Sequence, residues 1–248
     1  MRPFLLNKSA SMVDNDVLAT KKNIGMLFDR IASKYDLLNH LLTFNIDKLW
    51  RKKASQQLDN KTNNLLDVAV GTGDMAILIA QKQKAQNIIG IDLSNQMIEI
   101  AKKKVKDKNL TDKINLKIAD CQNLGFEDNS FDAITCSFGV RNFSNLNKGL
   151  QEMLRVLKPK GKLVILEFSY PTNIIIKAIY NLYFTIILPI IGKILSKDKT
   201  AYKYLPSSVK HFIYNQQFAD KLTSIGFDNA KYQSLSMGIC CIYTATKR

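Results

Sequence analysis

The stretch Leu65-Leu66-Asp67-Val68-Ala69-Val70-Gly71-Thr72-Gly73-Asp74 joins an apolar run to a glycine turn that ends in a carboxylate. A short apolar run bounded by glycines reads as a buried strand. The helical pattern after it makes this the first strand–turn–helix of a nucleotide-type site. Gly71, Gly73 and Ala76 also satisfy the loose G-x-G-x-x-G/A spacing of dinucleotide enzymes. Asp74 argues against that class. A pyrophosphate is drawn to a helix N-terminus by free N–H groups and the helix dipole, and a carboxylate there repels it. A cationic, phosphate-free ligand fits better, and S-adenosylmethionine, with its sulfonium and amino groups, is the expected one.

Three further positions extend the pattern. Asp92 closes the run Ile88-Ile89-Gly90-Ile91-Asp92, 19 residues beyond Gly73, where a carboxylate can accept from both hydroxyls of a ribose. Asp120-Cys121 follows a third strand, placing a carboxylate for an adenine amino group, and Ser137 follows a fourth, beneath the methionine portion. Glycines at turns and acids at strand ends are common singly; the ordered set is specific. No metal is expected, because the only histidines, His40 and His211, are far apart. Neither follows a nucleophile elbow, so no Ser/His/Asp chemistry is indicated.

These positions require a scaffold. Strands are predicted at Leu65–Val70, Ile88–Ile91, Ile114–Ile118, Phe131–Cys136 and Leu163–Glu167, alternating with helices as in a parallel, doubly wound α/β sheet. The helix after the second strand begins at Ser94, a suitable N-cap, and carries the stripe Met97, Ala101, Val105. The helix before the fifth strand carries Leu146, Leu150, Leu154 and Leu157, and Pro159 with Gly161 stops it and turns the chain. A last helix at Phe218–Ile225 precedes two closing strands, near Tyr232–Leu235 and Ile239–Thr246. Residues 1–15 are expected to be a mobile tail and 16–248 a single domain, with N-terminal helices over 16–60 and an apolar insertion over 170–213. Within it, Ile174–Leu195 is interrupted by Lys177, Asn181 and Pro189. Its unbroken pieces are too short for the ~20 apolar residues of a spanning helix. A lid or a lipid-facing wall is expected instead.

The 248 residues carry a formal charge of +15, which suits an anionic membrane face or nucleic acid. Aromatic residues do not interleave with Lys102-Lys103-Lys104 or Arg51-Lys52-Lys53, so RNA binding is not indicated, although an RNA methyltransferase stays an alternative. Phe4-Leu5-Leu6 is too short for a signal-peptide core, and the four cysteines make no metal pattern, so a cytoplasmic protein with reduced thiols is expected. Oligomeric state is left open, a homo-oligomer included.

Further motifs resemble one family. Residues Arg155 to Ser169, ending in Glu167-Phe168-Ser169, are similar to a signature of the menaquinone/ubiquinone biosynthesis C-methyltransferases. Ser137-Phe138-Gly139-Val140-Arg141-Asn142, Tyr35-Asp36-Leu37-Leu38-Asn39, Trp50-Arg51 and Tyr202 to Ser208 resemble others. The resemblance runs from about Gly25 to the C-terminus. It implies a class I S-adenosylmethionine-dependent methyltransferase with a mostly parallel seven-stranded sheet, N-terminal helices and a helical insertion before the last strands. It places donor-binding positions on Thr72, Asp92, Asp120, Cys121 and Ser137, alongside the Gly71, Gly73 and Asp74 of the turn. The implied acceptor is a polyprenyl hydroquinone, with demethylmenaquinol favoured over the ubiquinone-precursor benzoquinol, at or near the inner face of a membrane. Arg141 is expected to stabilise or orient a ring hydroxyl, Asn142 and Tyr35 to fix the ring, and Asp36 to accept a proton. Two departures stand out: Asp47 occupies a place where many members carry histidine, and Lys160 replaces a usual glycine, with little effect expected at an exposed turn.

Overall fold

The computed structural model describes residues 23–60, 62–183, 204 and 207–248. The 1–15 tail and the 184–195 part of the apolar insertion lie outside them. Among the described residues, helices α1 (Ile24–Leu42) and α2 (Ile46–Ser55) come first. Strand β1 (Thr62–Val68) leads into α3 (Asp74–Gln81), β2 (Ala85–Asp92) into α4 (Asn95–Asp107), and β3 (Ile114–Ile118) is followed by β4 (Phe131–Ser137). A 3₁₀ turn at Val140–Asn142 precedes α5 (Leu146–Val156), β5 (Leu157–Phe168) and α6 (Ile174–Leu182). Helix α7 (Gln216–Ile225), β6 (Phe227–Leu235) and β7 (Cys240–Lys247) close the chain.

The seven strands lie in the order β3-β2-β1-β4-β5-β7-β6. The pairs from β3 to β5 are parallel, and β7 runs antiparallel to both its neighbours. Central parallel strands are covered on both faces and so read as near-continuous apolar runs. Successive side chains feed opposite faces. Leu65, Val164, Leu166, Cys240 and Ile242 join the core under α2 and α3, whereas Leu66, Leu163, Ile165, Cys241 and Tyr243 join the core under α5 and α7. The adjacent cysteines thus face apart, and all four are free and buried.

Local signals act as read. Ser94 caps α4 by accepting from the Met97 N–H at 3.1 Å, and Met97, Ala101 and Val105 are buried against the sheet. Strand limits differ. β1 ends at Val68 rather than Val70, because Ala69 swings to φ +53° and starts the turn early. Leu157 belongs to β5 and not to the preceding helix. It pairs with Phe131, and the next pair is Lys162 with Ala133, so residues 158–161 bulge within one long strand. The turn at Pro159–Gly161 is therefore real but interrupts a strand. Lys160 sits in it exposed, at φ +62°, the left-handed region where a Cβ is unfavourable.

Candidate active site

Strand order reverses between β1 and β4, and ligands of open α/β sheets bind beyond the carboxyl ends of the strands at such a point. A cavity of about 400 Å³ lies there, a volume suited to a small-molecule ligand. Ala69 and Gly71 line it after β1, Asp92 at the end of β2, Asp120 and Cys121 after β3, and Ser137 at the end of β4. Helix α1 roofs it with Phe28, Asp29 and Tyr35. The glycine turn needs its glycines: Gly71 has φ +56° and Gly73 φ +87°. A Cβ at Gly71 would meet nothing within 4 Å, so that face of the turn is open to a ligand.

Asp92 is fixed from two sides. Its Oδ2 accepts from the Gly71 N–H at 2.9 Å and its Oδ1 from the Ser94 N–H at 2.9 Å. Burial pushes its carboxyl above the ordinary range, against those hydrogen bonds. Asp120 Oδ1 accepts from the Gln122 N–H at 2.8 Å. Burial, and next the charge of Asp120, push the Cys121 thiol up, so it is a neutral wall and no nucleophile. The hydroxyl oxygen of Ser137 is buried without a hydrogen-bond partner. A polar atom in that state is costly unless a ligand or water meets it.

This lining tests the fit of S-adenosylmethionine. Among the described residues, the cavity wall holds the carboxylates of Asp29, Asp92 and Asp120 and no lysine or arginine. It therefore offers acceptors to hydroxyl, amino and cationic groups and nothing to neutralise a phosphate. The residues fit the methyl donor and not a dinucleotide.

Not every expected residue faces this space. Tyr35 and Asn142 line the cavity. Thr72 and Asp74 line a small adjoining hollow with Arg51 and Asp67, and Gly73 lines neither. The charge of Asp74 is met by cationic side chains. Lys104 binds it directly, and Arg51 Nη2 and His40 Nε2 each lie 3.9 Å away. Asp36 is likewise no free acceptor: it takes hydrogen bonds from Thr72 Oγ1 at 2.5 Å and Lys104 Nζ at 3.0 Å, tying α1 to the glycine turn. Asp47 is buried against Arg51 and Thr43. Burial opposes its charge and is the largest single influence, but Arg51, Thr43 and His40 together outweigh it and hold the carboxyl below its usual range. An imidazole is present at this place after all, because His40 Nδ1 lies 3.0 Å from Asp47 Oδ2.

Arg141 stands behind the cavity wall. It is buried with Nη1 2.6 Å from Glu167 Oε1 and 2.7 Å from the Phe138 carbonyl, while Nε donates to Ser208 Oγ at 3.4 Å. Nη2 takes part in none of these bonds. Burial works against the guanidinium charge and is the largest single influence, but Glu167, Tyr35 and Tyr204 together outweigh it and hold the pKa above the ordinary value. Around it lie phenols: burial raises Tyr35 and brings Tyr204 to about 12, and in both the nearby Arg141 charge pulls the other way. Tyr204 donates to Asn142 Oδ1 at 3.0 Å. Sequence reasoning missed Glu167 and Asp29. Glu167 was visible as an acid inside an apolar strand, where a charge needs a partner. Asp29, which accepts from Ser94 Oγ at 2.6 Å, gave no local signal.

The family described as the ubiE/COQ5 methyltransferase family matches residues 16–247. The chain belongs to it. This member is 44% identical to a demethylmenaquinone methyltransferase of Bacteroides fragilis over 227 residues, covering 91% of this chain and 93% of that one. It is 44% identical over 228 residues to a ubiquinone/menaquinone biosynthesis C-methyltransferase UbiE of Geotalea daltonii, covering 91% and 97%. Among solved structures, the [4+2]-cyclase SpnF has a TM-score of 0.68 at 17% identity, covering 90% of this chain and 94% of that one. A SAM-dependent methyltransferase of Thermotoga maritima scores 0.65 at 19% identity, covering 90% and 99%. These two share the fold alone, and a fold hosts many chemistries. The family fixes the chemistry: this enzyme is an S-adenosylmethionine-dependent methyltransferase.

Proposed function

We propose that this methyltransferase adds a methyl group to a ring carbon of a polyprenyl hydroquinone, demethylmenaquinol in the first instance. The observation that carries the reading is a carboxylate-lined cavity, free of lysine and arginine among the described residues, beside a buried arginine, in a chain that aligns along 91% of its length with a demethylmenaquinone methyltransferase. A ubiquinone-precursor benzoquinol is the second reading, favoured by relatives named for both pathways. Asp92 would hold the ribose hydroxyls, Asp120 the adenine amino group, and Gly71, Cys121 and Ser137 the remaining wall. Thr72 and Asp74 would flank the methionine end from the adjoining hollow, and Gly73 would give the turn its shape. Bound there, S-adenosylmethionine supplies an electrophilic methyl group.

The protein's task is to make the ring carbon electron-rich and keep it in line. Losing the hydroxyl proton raises electron density at the adjacent carbon. A guanidinium is too basic to take that proton, but Nη2 of Arg141 can stabilise the oxygen anion as it forms. Asn142 and Tyr35 would fix the ring, holding the carbon about 3 Å from the methyl group. The hydroxyl proton would leave through water, since Asp36 is occupied by Thr72 and Lys104. The hydrogen displaced from the methylated ring carbon would return a proton to the oxygen and restore the aromatic hydroquinone.

The prenyl tail needs an apolar path. Exposed Ile174 and Ile175 at the start of α6, together with the +15 charge, support peripheral contact with an anionic bilayer. No helix among the described residues is long and apolar enough to cross a membrane. The test is incubation of the pure protein with methyl-labelled donor and each demethylated quinol, followed by mass analysis. Label in the naphthoquinol supports the first reading, label in the benzoquinol alone supports the second, and label in neither refutes both.

A further inference from the structure

The elbow between α1 and α2 is apolar where it meets solvent. Phe44 is 73% exposed, Leu49 59% and Leu37 58%, with Leu41 and Ile46 also exposed. Scattered exposed apolar residues are ordinary, but this group falls within residues 37–49. The backbone at its tip is unusual too. Phe44 has φ +51° and Asn45 φ +60°, so a bulky aromatic is held in the left-handed region while its ring faces water. Strain and exposure at one residue persist when the position has work to do.

The charges follow the same geometry. Helix α2 turns Asp47, Trp50, Arg51 and Ala54 inward and leaves Lys48, Lys52 and Lys53 exposed next to Leu49. An apolar tip with a lysine collar is the arrangement of an interfacial helix on anionic lipid. The Phe44 ring also meets Tyr183, at 6.4 Å between centroids, which joins the elbow to exposed Leu182 at the end of α6. On the inner side, Asp47 binds Arg51, which lines the hollow beside the glycine turn.

We infer that the α1–α2 elbow is the membrane-docking surface of this enzyme, with Phe44 and Leu49 entering an anionic lipid layer and Lys48, Lys52 and Lys53 meeting its phosphates. The inference rests on the prenylated-quinol reading, since that substrate resides in lipid. It places the contact on the N-terminal helices, with the end of α6 beside it through the Phe44–Tyr183 contact.

Sedimentation of the full chain with vesicles of phosphatidylglycerol and phosphatidylethanolamine, against phosphatidylcholine alone, tests it. Binding to the anionic vesicles is expected, weakened at least tenfold in F44S/L49S and in K48E/K52E/K53E. The single tryptophan, Trp50, is buried and donates to Ser236 Oγ at 2.9 Å, so F44W adds a reporter at the elbow. Its emission should shift to the blue with anionic vesicles. Unchanged sedimentation of a folded F44S/L49S variant overturns the inference. So does an F44W emission that vesicles do not move, which decides the matter if F44S/L49S fails to fold. A dimer lost in F44S/L49S, with no vesicle binding by the wild type, makes the elbow a subunit contact and also overturns it. Methylation of a short-chain, water-soluble quinol separates the two readings. Turnover without vesicle binding removes the docking surface alone, whereas elbow-dependent binding without methylation of any quinol removes the substrate reading alone.

Discussion

Arg141 and Glu167 form an ion pair inside the protein, with Nη1 2.6 Å from Oε1 and neither side chain more than 5% exposed. Breaking such a pair leaves one charge buried without compensation, at a cost of about 3–5 kcal/mol. Glu167→Ala should therefore lower the unfolding free energy by that order, read from denaturant melts. The proposed role of the pair lies in chemistry more than in stability. R141M/E167Q, which removes both charges, should keep stability within about 2 kcal/mol of the parent. Its turnover should fall at least about 100-fold through loss of oxyanion stabilisation, with donor affinity by calorimetry nearly intact. Equal loss of turnover and donor affinity would refute the role given to Arg141.

Asp92 predicts the opposite pattern. Its carboxylate joins the Gly71 turn to the start of α4 and faces the cavity. Asp92→Ala should weaken donor binding roughly 10- to 100-fold, the value of about 1.5–3 kcal/mol for hydrogen bonds to a charged group. Burial raises this carboxyl, so its proton returns at a higher pH than for a free aspartate. Donor affinity should decline as the solution is acidified, and Asp92→Asn should flatten that decline. A wild-type affinity independent of pH down to the ordinary carboxylate range would count against it.

Asp67 sets a pH dependence of folding. It is buried, Oδ1 accepts from Thr135 Oγ1 at 2.7 Å, and Oδ2 has no partner. Desolvation, the leading cause, raises its pKa to about 7 from 3.8. Between those values the unfolded chain has released the proton and the folded chain still holds it. Raising the pH across this window therefore favours unfolding, by up to about 1.4 kcal/mol per pH unit. The contribution is complete below the unfolded value and lost once the pH passes about 7. Asp67→Asn should remove this slope in melts from pH 4 to 8. A slope unchanged by the substitution would assign it to other groups.

Lys160 is the simplest case. Its φ of +62° disfavours any side chain with a Cβ, at roughly 1–2 kcal/mol. Glycine loses part of that gain to unfolded-state entropy. Lys160→Gly should raise stability by about 0.5–1 kcal/mol without altering turnover, a rise visible in the melting temperature.

The alternation of apolar strands with helices specified the α/β sheet, because a strand buried on both faces must be apolar throughout. Local chemistry also set the Ser94 cap and the glycine turn, where φ beyond +50° leaves little choice of residue. Asp92, Asp120, Cys121 and Ser137 were legible as residues gathered round one cavity since each ends or follows a strand, and strand ends converge at the switch point. Pairing between distant segments was not legible. That Asp74 and Asp36 share Lys104 and that His40 meets Asp47 depend on how α1 to α4 pack around the sheet, and that Arg141 is neutralised by Glu167 depends on how the 3₁₀ turn after β4 folds over β5. The sequence shows which residues carry charge at the ends of its strands. Only the packed chain decides which of those charges answer one another and which are left for a ligand, because Coulombic partners are chosen by distance in space.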